Sequence, residues 1–145
     1  MNTKSEEDYL KCLYHLQQGK KNVSTNEIAN YLSMKPSSVS DMLKKLAEKK
    51  LVYYLKYKGS SLTKKGELIA LSVIRKHRLW ETFLVNKLGF SWSKVHNIAE
   101  QLEHVNSEEL IDKLDHFLAY PQIDPHGDPI PVSYTHLTLP TSNDV

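Results

Sequence analysis

The chain has 145 residues, is 40% hydrophobic and 25% charged, and carries a net charge of +2. These values exclude wholesale disorder and a fibrous repeat, and no apolar run approaches the roughly 20 residues that cross a bilayer. The opening residues are polar and acidic, unlike a secretory leader, and Cys12 is the only cysteine. An internal disulfide and a multi-cysteine zinc site are therefore excluded, and a cytoplasmic address is expected.

Charge is spread unevenly. Residues 1–66 carry 13 Lys and Arg against 6 Asp and Glu, whereas residues 67–145 carry 6 against 11. A basic half suits a polyanionic partner. An acidic half with clustered histidines suits a cation.

In chain order, apolar spacing predicts a first helix over residues 5–18, with Ser5 as its N-cap. Gly19-Lys20-Lys21-Asn22 breaks it. Ser24 and Glu27 form a capping box for a short second helix ending near Leu32, and Val23 can staple onto Ile28. Ser33-Met34-Lys35 makes a tight turn, and Pro36 suits the first position of a third helix. There Val39, Met42, Leu43 and Leu46 recur at i, i+3, i+4 and i+7 and face inward. Residues 51–63 read as a β-hairpin turning at Lys58-Gly59-Ser60. Thr63 can cap a long helix to about Leu88, and two further helices are predicted at about 93–105 and 107–119. Residues 121–131 hold four prolines, Pro121 and three in Asp124-Pro125-His126-Gly127-Asp128-Pro129-Ile130-Pro131, and read as an extended connector.

Helix, short helix, tight turn, amphipathic helix and hairpin make a winged helix-turn-helix, in a chain of mainly α class. The third helix offers Ser37, Ser38, Ser40, Asp41, Lys44 and Lys45 on its polar face. Small residues admit the backbone to a major groove, hydroxyls bond phosphates or base edges, and lysines sit over phosphates. Lys56, Tyr57 and Lys58 at the hairpin tip suit the adjacent backbone or minor groove. With no Arg on this helix, base reading falls to the serines and Asp41 or to DNA shape. An α+β domain with merely solvated lysines is the bland alternative.

The acidic half holds a second constellation. His77 and Glu81 are i, i+4 on the long helix. His96, Glu100, Glu103 and His104 recur at i, i+4, i+7 and i+8, one stripe opposite Val95, Ile98, Ala99, Leu102 and Val105. Imidazole and carboxylate donors suit divalent first-row metals, and hard oxygens lean toward Mn²⁺ or Fe²⁺. A solvated charged face is the competing reading. Asp8 is ambiguous, because three residues after Ser5 a carboxylate favours a helix start in any case.

A winged helix-turn-helix followed by a His/Glu helix resembles the diphtheria-toxin-repressor family of metal-dependent transcriptional regulators over about residues 5–131. The carriers are Glu7-Asp8-Tyr9-Leu10, Pro36-Ser37-Ser38-Val39-Ser40, Leu62-Thr63-Lys64-Lys65-Gly66, Arg75-Lys76-His77-Arg78-Leu79-Trp80-Glu81, Glu103-His104-Val105 and the Asp-Pro-His-Gly-Asp-Pro-Ile-Pro run. The resemblance implies a homodimer that binds a palindromic operator in double-stranded DNA when metal is bound. It implies one metal centre of Asp8, Glu100, Glu103 and His104 and a neighbouring one of His77, Glu81 and His96. Asp8 and Glu100 stand where iron-type members have Met and Cys, which is manganese-like. Lys11 stands where manganese-type relatives commonly carry a second carboxylate, and an ammonium does not ligate a cation.

The expected organisation is a DNA-binding domain at 1–66, a helical metal-binding and dimerisation domain at 67–120, a connector at 121–131 and a non-native or disordered tail at 132–145. Longer relatives continue into a third, β-barrel domain. Leu110, Leu114, Phe117 and Leu118 form an apolar stripe that suits a dimer contact or an internal core. The alternative function is a metal-independent winged-helix regulator answering a small organic ligand. No nucleophile stands beside a base and no loop cradles phosphate, so an enzyme is not expected.

Overall fold

The computed structural model describes residues 2–132. The predicted tail, from residue 133 onward, lies outside the described residues. The elements run α1 (Lys4–Leu16), α2 (Thr25–Leu32), α3 (Pro36–Glu48), β1 (Val52–Leu55), β2 (Gly59–Leu62), α4 (Lys64–Asn86), α5 (Trp92–Leu102) and α6 (Glu108–Phe117). The chain divides into two compact units, residues 1–71 and 72–145, with the boundary inside α4.

The first unit is built on hydrocarbon. Leu10 and Leu13 of α1, Ile28 of α2 and Val39, Leu43 and Leu46 of α3 are all fully buried in one cluster with Val23, Leu51, Val52 and Ala70. Fully burying one such side chain contributes about 1.5–3 kcal/mol. The α1 cap differs from the expectation. Thr3, not Ser5, is the N-cap, because Glu6 reaches back to the Thr3 N–H at 2.8 Å while Thr3 Oγ1 accepts from Glu6 N–H at 3.1 Å. Asp8 therefore lies beyond the capping turn, and helix-start duty no longer accounts for it. Ser24 and Glu27 form the predicted box at α2. Ser33, in the turn before α3, adopts a left-handed conformation at φ 55°.

The hairpin also turns two residues earlier than the expected Lys58-Gly59-Ser60. β1 and β2 pair antiparallel with Val52 opposite Leu62 and Leu55 opposite Gly59, which leaves Lys56-Tyr57-Lys58 as the turn. Tyr57 takes the left-handed position at φ 69°. Gly59 instead opens β2, where a Cβ would stand 2.6 Å from the Val23 carbonyl oxygen. The close approach arises because Val23 and Ser60 exchange backbone hydrogen bonds. Thr63 caps α4 as expected, with Gly66 N–H donating to its hydroxyl at 3.1 Å.

In the second unit Leu79 of α4, Ile111 and Leu114 of α6 and Ile130 form a small apolar cluster, flanked by Trp80, Phe83 and Leu118. The α6 stripe is thus split: Leu114 and Leu118 pack inward, whereas Leu110 and Phe117 are exposed. Arg75 of α4 bonds Asp115 of α6 at 3.1 Å. The connector is folded rather than extended. The Asp124 carboxylate accepts from the N–H groups of His126 and Asp128 at 2.9 and 2.8 Å, and Ile123 bridges to Pro129. Arg78 donates to the Pro129 carbonyl. Ile130 is thereby fixed in the cluster, which a proline-rich composition alone does not reveal.

Candidate metal centre and nucleic-acid interface

α4 supplies the spine of the polar cluster in the second unit. His77 and Glu81 lie one turn apart, and both are buried. His77 Nε2 is 3.1 Å from Glu81 Oε2, and His77 Nδ1 is 2.6 Å from Glu103 Oε1. One imidazole thus bridges two carboxylates. Burial pulls His77 down, but its bonds to Glu103 and Glu81 outweigh that and raise it above the ordinary histidine range. Burial likewise pushes Glu81 up, and its contacts with His77, Asp124 and His126 together more than reverse that, leaving Glu81 below its usual range.

The predicted stripe on α5 is interrupted. α5 ends at Leu102, Glu103 is its C-cap, and His104 lies in the turn that follows. Glu103 is fully buried, and its Oε2 lies 3.2 Å from His104 Nε2. His96 and Glu100 stay on the solvent side of the stripe and contact each other at 3.3 Å. His96 Nδ1 also lies 3.7 Å from Glu81 Oε2, and its ring meets that of His77 edge-on with centroids 4.9 Å apart. His77, Glu81 and His96 offer ligand atoms that all lie within 4.8 Å of one another.

A second such group was missed in the sequence. Glu81, Asp124 and His126 also bring their ligand atoms within 4.8 Å. His126 Nδ1 is 3.8 Å from Glu81 Oε1, and its ring packs edge-on against Trp92. Burial raises Asp124, the backbone N–H of Asp128 opposes that, and the hydrogen-bonded Glu81 carboxyl raises it further. The signal was present as an Asp and a His two residues apart in Asp-Pro-His-Gly, but reading the segment as extended removed the reason to look. Glu81 belongs to both groups, so its two oxygens face two sets of donors.

Every donor in these groups is imidazole or carboxylate, which fits a divalent first-row cation. No thiol competes among the described residues. Cys12 is buried in the first unit, and burial pushes its thiol up to about 12.

The first unit carries the other predicted residues. Asp8 on α1 is half-buried, with Lys4 Nζ 3.6 Å from its carboxylate. On α3, Ser37, Ser38, Asp41 and Lys44 are exposed and Ser40 is half-buried. Lys45 is also exposed, but its ammonium lies 3.8 Å from the buried Glu6 carboxylate. Lys56, Tyr57 and Lys58 project from the hairpin tip, Tyr57 being 93% exposed. Lys35 is the N-cap of α3 and makes no side-chain cap bond, so the N–H groups of the first turn have no side-chain acceptor there. Such a helix start suits phosphate oxygens.

Comparison with known proteins matches residues 1–60 to the model described as "Iron dependent repressor, N-terminal DNA binding domain". Residues 63–132 match "Iron dependent repressor, metal binding and dimerisation domain". Among solved structures, a manganese-dependent transcriptional repressor in complex with manganese is 42% identical at a TM-score of 0.83 over 94% of this chain and 62% of its own. ScaR with bound Cd²⁺ is 41% identical at 0.78, over 88% of this chain and 60% of its own. The hypothetical protein SSo2273 from Sulfolobus solfataricus is 32% identical at 0.76, over 90% of this chain and all of its own. The chain therefore spans about three-fifths of the length of the first two.

Proposed function

The chain belongs to the iron-dependent (diphtheria-toxin-type) repressor family, and from that premise we propose that it is a metal-dependent transcriptional repressor, acting in the cytoplasm as a homodimer on palindromic operator DNA to control metal-ion homeostasis. No helix among the described residues is long and apolar enough to cross a membrane. The observation that carries the reading is the buried carboxylate–imidazole–carboxylate chain Glu103–His77–Glu81, continued by His104, His96 and Glu100. Buried charge costs heavily unless paired, and a solvated face needs no such arrangement.

In this reading Asp8, Glu100, Glu103 and His104 hold one cation, and His77, Glu81 and His96 frame a neighbouring position. Asp124 and His126 offer an alternative set through the shared Glu81. The metal is Mn²⁺ or Fe²⁺, with Mn²⁺ favoured by the oxygen-rich donors and by a relative whose structure is titled a complex with manganese. When bound, the cation supplies positive charge that draws carboxylates from separate elements together. The protein's part is to hold those groups and to present Ser37, Ser38, Ser40, Asp41 and Lys44 of α3, with Lys56, Tyr57 and Lys58 of the hairpin, to the duplex. Metal and DNA then favour the same arrangement, so each tightens the other.

The test is a titration of Mn²⁺ into metal-free protein, with free Mn²⁺ followed by electron paramagnetic resonance. It is paired with DNA binding in Mn²⁺ and in chelator. Wild type should bind saturably and gain DNA affinity. Glu103→Ala and His104→Ala should lose both responses and remain folded dimers. Unchanged metal response in both variants would sink the proposal.

A further inference from the structure

α1 opens on one buried carboxylate that serves two helices. Glu6 is 1% exposed. Its Oε1 accepts the Thr3 N–H that closes the capping box. The same carboxylate accepts from Lys49 Nζ at 3.1 and 3.2 Å, and Lys45 Nζ lies 3.8 Å away. Lys49 also donates to Asn2 Oδ1 at 2.9 Å, so the residues before α1 join the same knot. Lys45 and Lys49 stand one turn apart at the end of α3, whose other end presents Ser37 and Ser38 to solvent. Asp8 follows Glu6 by two residues on α1.

Neither the cap nor the burial requires a charge. Glutamine serves equally at this position of a capping box, and an apolar residue of similar volume commonly replaces a buried ion pair without loss of stability. What the ionised carboxylate adds is a tie that exists only while the first turn of α1 is wound. If that turn unwinds, Glu6 leaves its cap and Lys45 and Lys49 lose their anchor together.

We infer that Glu6 is a positioning residue of the metal response: it passes the order of the first turn of α1, engaged through Asp8, to the reading helix α3. The inference rests on the metal-linked function proposed above. The ion-pair knot is a two-state element that metal biases from one side and DNA from the other. It also gives Lys45 a task away from the phosphate backbone, while Lys44 beside it is exposed.

The experiment uses Glu6→Gln and Lys49→Met in the full chain. The probe is a labelled duplex selected from a random pool by the wild-type protein in saturating Mn²⁺. DNA affinity is measured in Mn²⁺ and in chelator, and Mn²⁺ uptake is measured without DNA. Wild type should show a large ratio between the two DNA affinities. Glu6→Gln keeps the cap acceptor, so α1 should fold and Mn²⁺ uptake should stay within about threefold, while the ratio falls by about tenfold, within the usual range of such couplings. Lys49→Met should reproduce that loss, and the double variant should add little, as expected for residues in one network. Freed lysines raise general DNA affinity equally in both conditions, so the ratio removes that effect. A wild-type ratio in Glu6→Gln and Lys49→Met overturns the inference, as does an equal fall of affinity with and without Mn²⁺, which marks a structural role only. Absence of a Mn²⁺ response in the wild-type arm overturns the underlying function itself, and is read independently of either variant.

Discussion

The two units treat charge in opposite ways. Residues 2–71 enclose a hydrocarbon core, and buried Glu6 is held by cations of α3 at its edge. Residues 72–132 have a smaller apolar cluster and bury His77, Glu81, Glu103 and Asp124 as well as Arg75. Apolar burial is non-directional and indifferent to which ions are present. Buried imidazoles and carboxylates depend on their partners, and so on anything that brings or removes charge. The first unit thus rests mainly on apolar packing, with the Glu6 ion-pair knot at its edge, and the second holds most of the buried groups that added charge can influence.

The sharpest way to break that contrast is to weaken the hydrocarbon core. Leu43 is fully buried, and Leu43→Ala should cost about 2–5 kcal/mol. The loss should be read from urea midpoints and be the same in Mn²⁺ and in chelator. A loss that Mn²⁺ removes would show that the packing around Leu43, and not only α1, leans on the metal. Next in size, Glu103→Ala should weaken Mn²⁺ binding by at least about 100-fold, the upper range seen when even outer partners of a ligand are removed. A titration matching wild type would take Glu103 out of the metal set.

Gly66→Ala sets two effects against each other. The helix scale favours Ala by about 1 kcal/mol, but a Cβ there would stand 2.0 Å from the Leu51 carbonyl oxygen. Backbone on both sides cannot yield as a flexible side chain can, so a net loss of about 1–3 kcal/mol is expected. A raised melting temperature would show a looser approach of α4 to the hairpin. The smallest effect is Ser33→Gly, which relieves a left-handed φ of 55°. It should gain about 1 kcal/mol in thermal unfolding, and Mn²⁺ uptake should not change. Cys12, with its thiol held at about 12 by burial, should resist alkylation at neutral pH until the first unit unfolds.

Much of this architecture was legible as local pattern. The Ser24–Glu27 box, Pro36 at the start of α3, the Val39–Leu43–Leu46 face and the Thr63 cap all appear where spacing put them. Each depends on residues within one or two turns, where helix period and capping chemistry act directly. The same logic misled at α1, where Ser5 with a carboxylate three residues on reads as a helix start but Thr3 and Glu6 form the capping box. It misled at the hairpin as well, because Gly59 answers a neighbouring chain rather than a turn.

Sequence alone determined the reading-head pattern, the uneven charge and the list of imidazoles and carboxylates available to a cation. Only the tertiary structure decided which of them are buried together. His77 meets Glu103 across 26 residues of sequence, and Glu6 meets Lys49 across 43. The connector folds back to bring Asp124 and His126 to Glu81. Helical period fixes which side of an element a residue occupies, but it carries no information about what that side will face. That is set by the packing of whole elements, in which burying apolar surface outweighs any one polar pairing and leaves the polar groups to find partners where the helices place them.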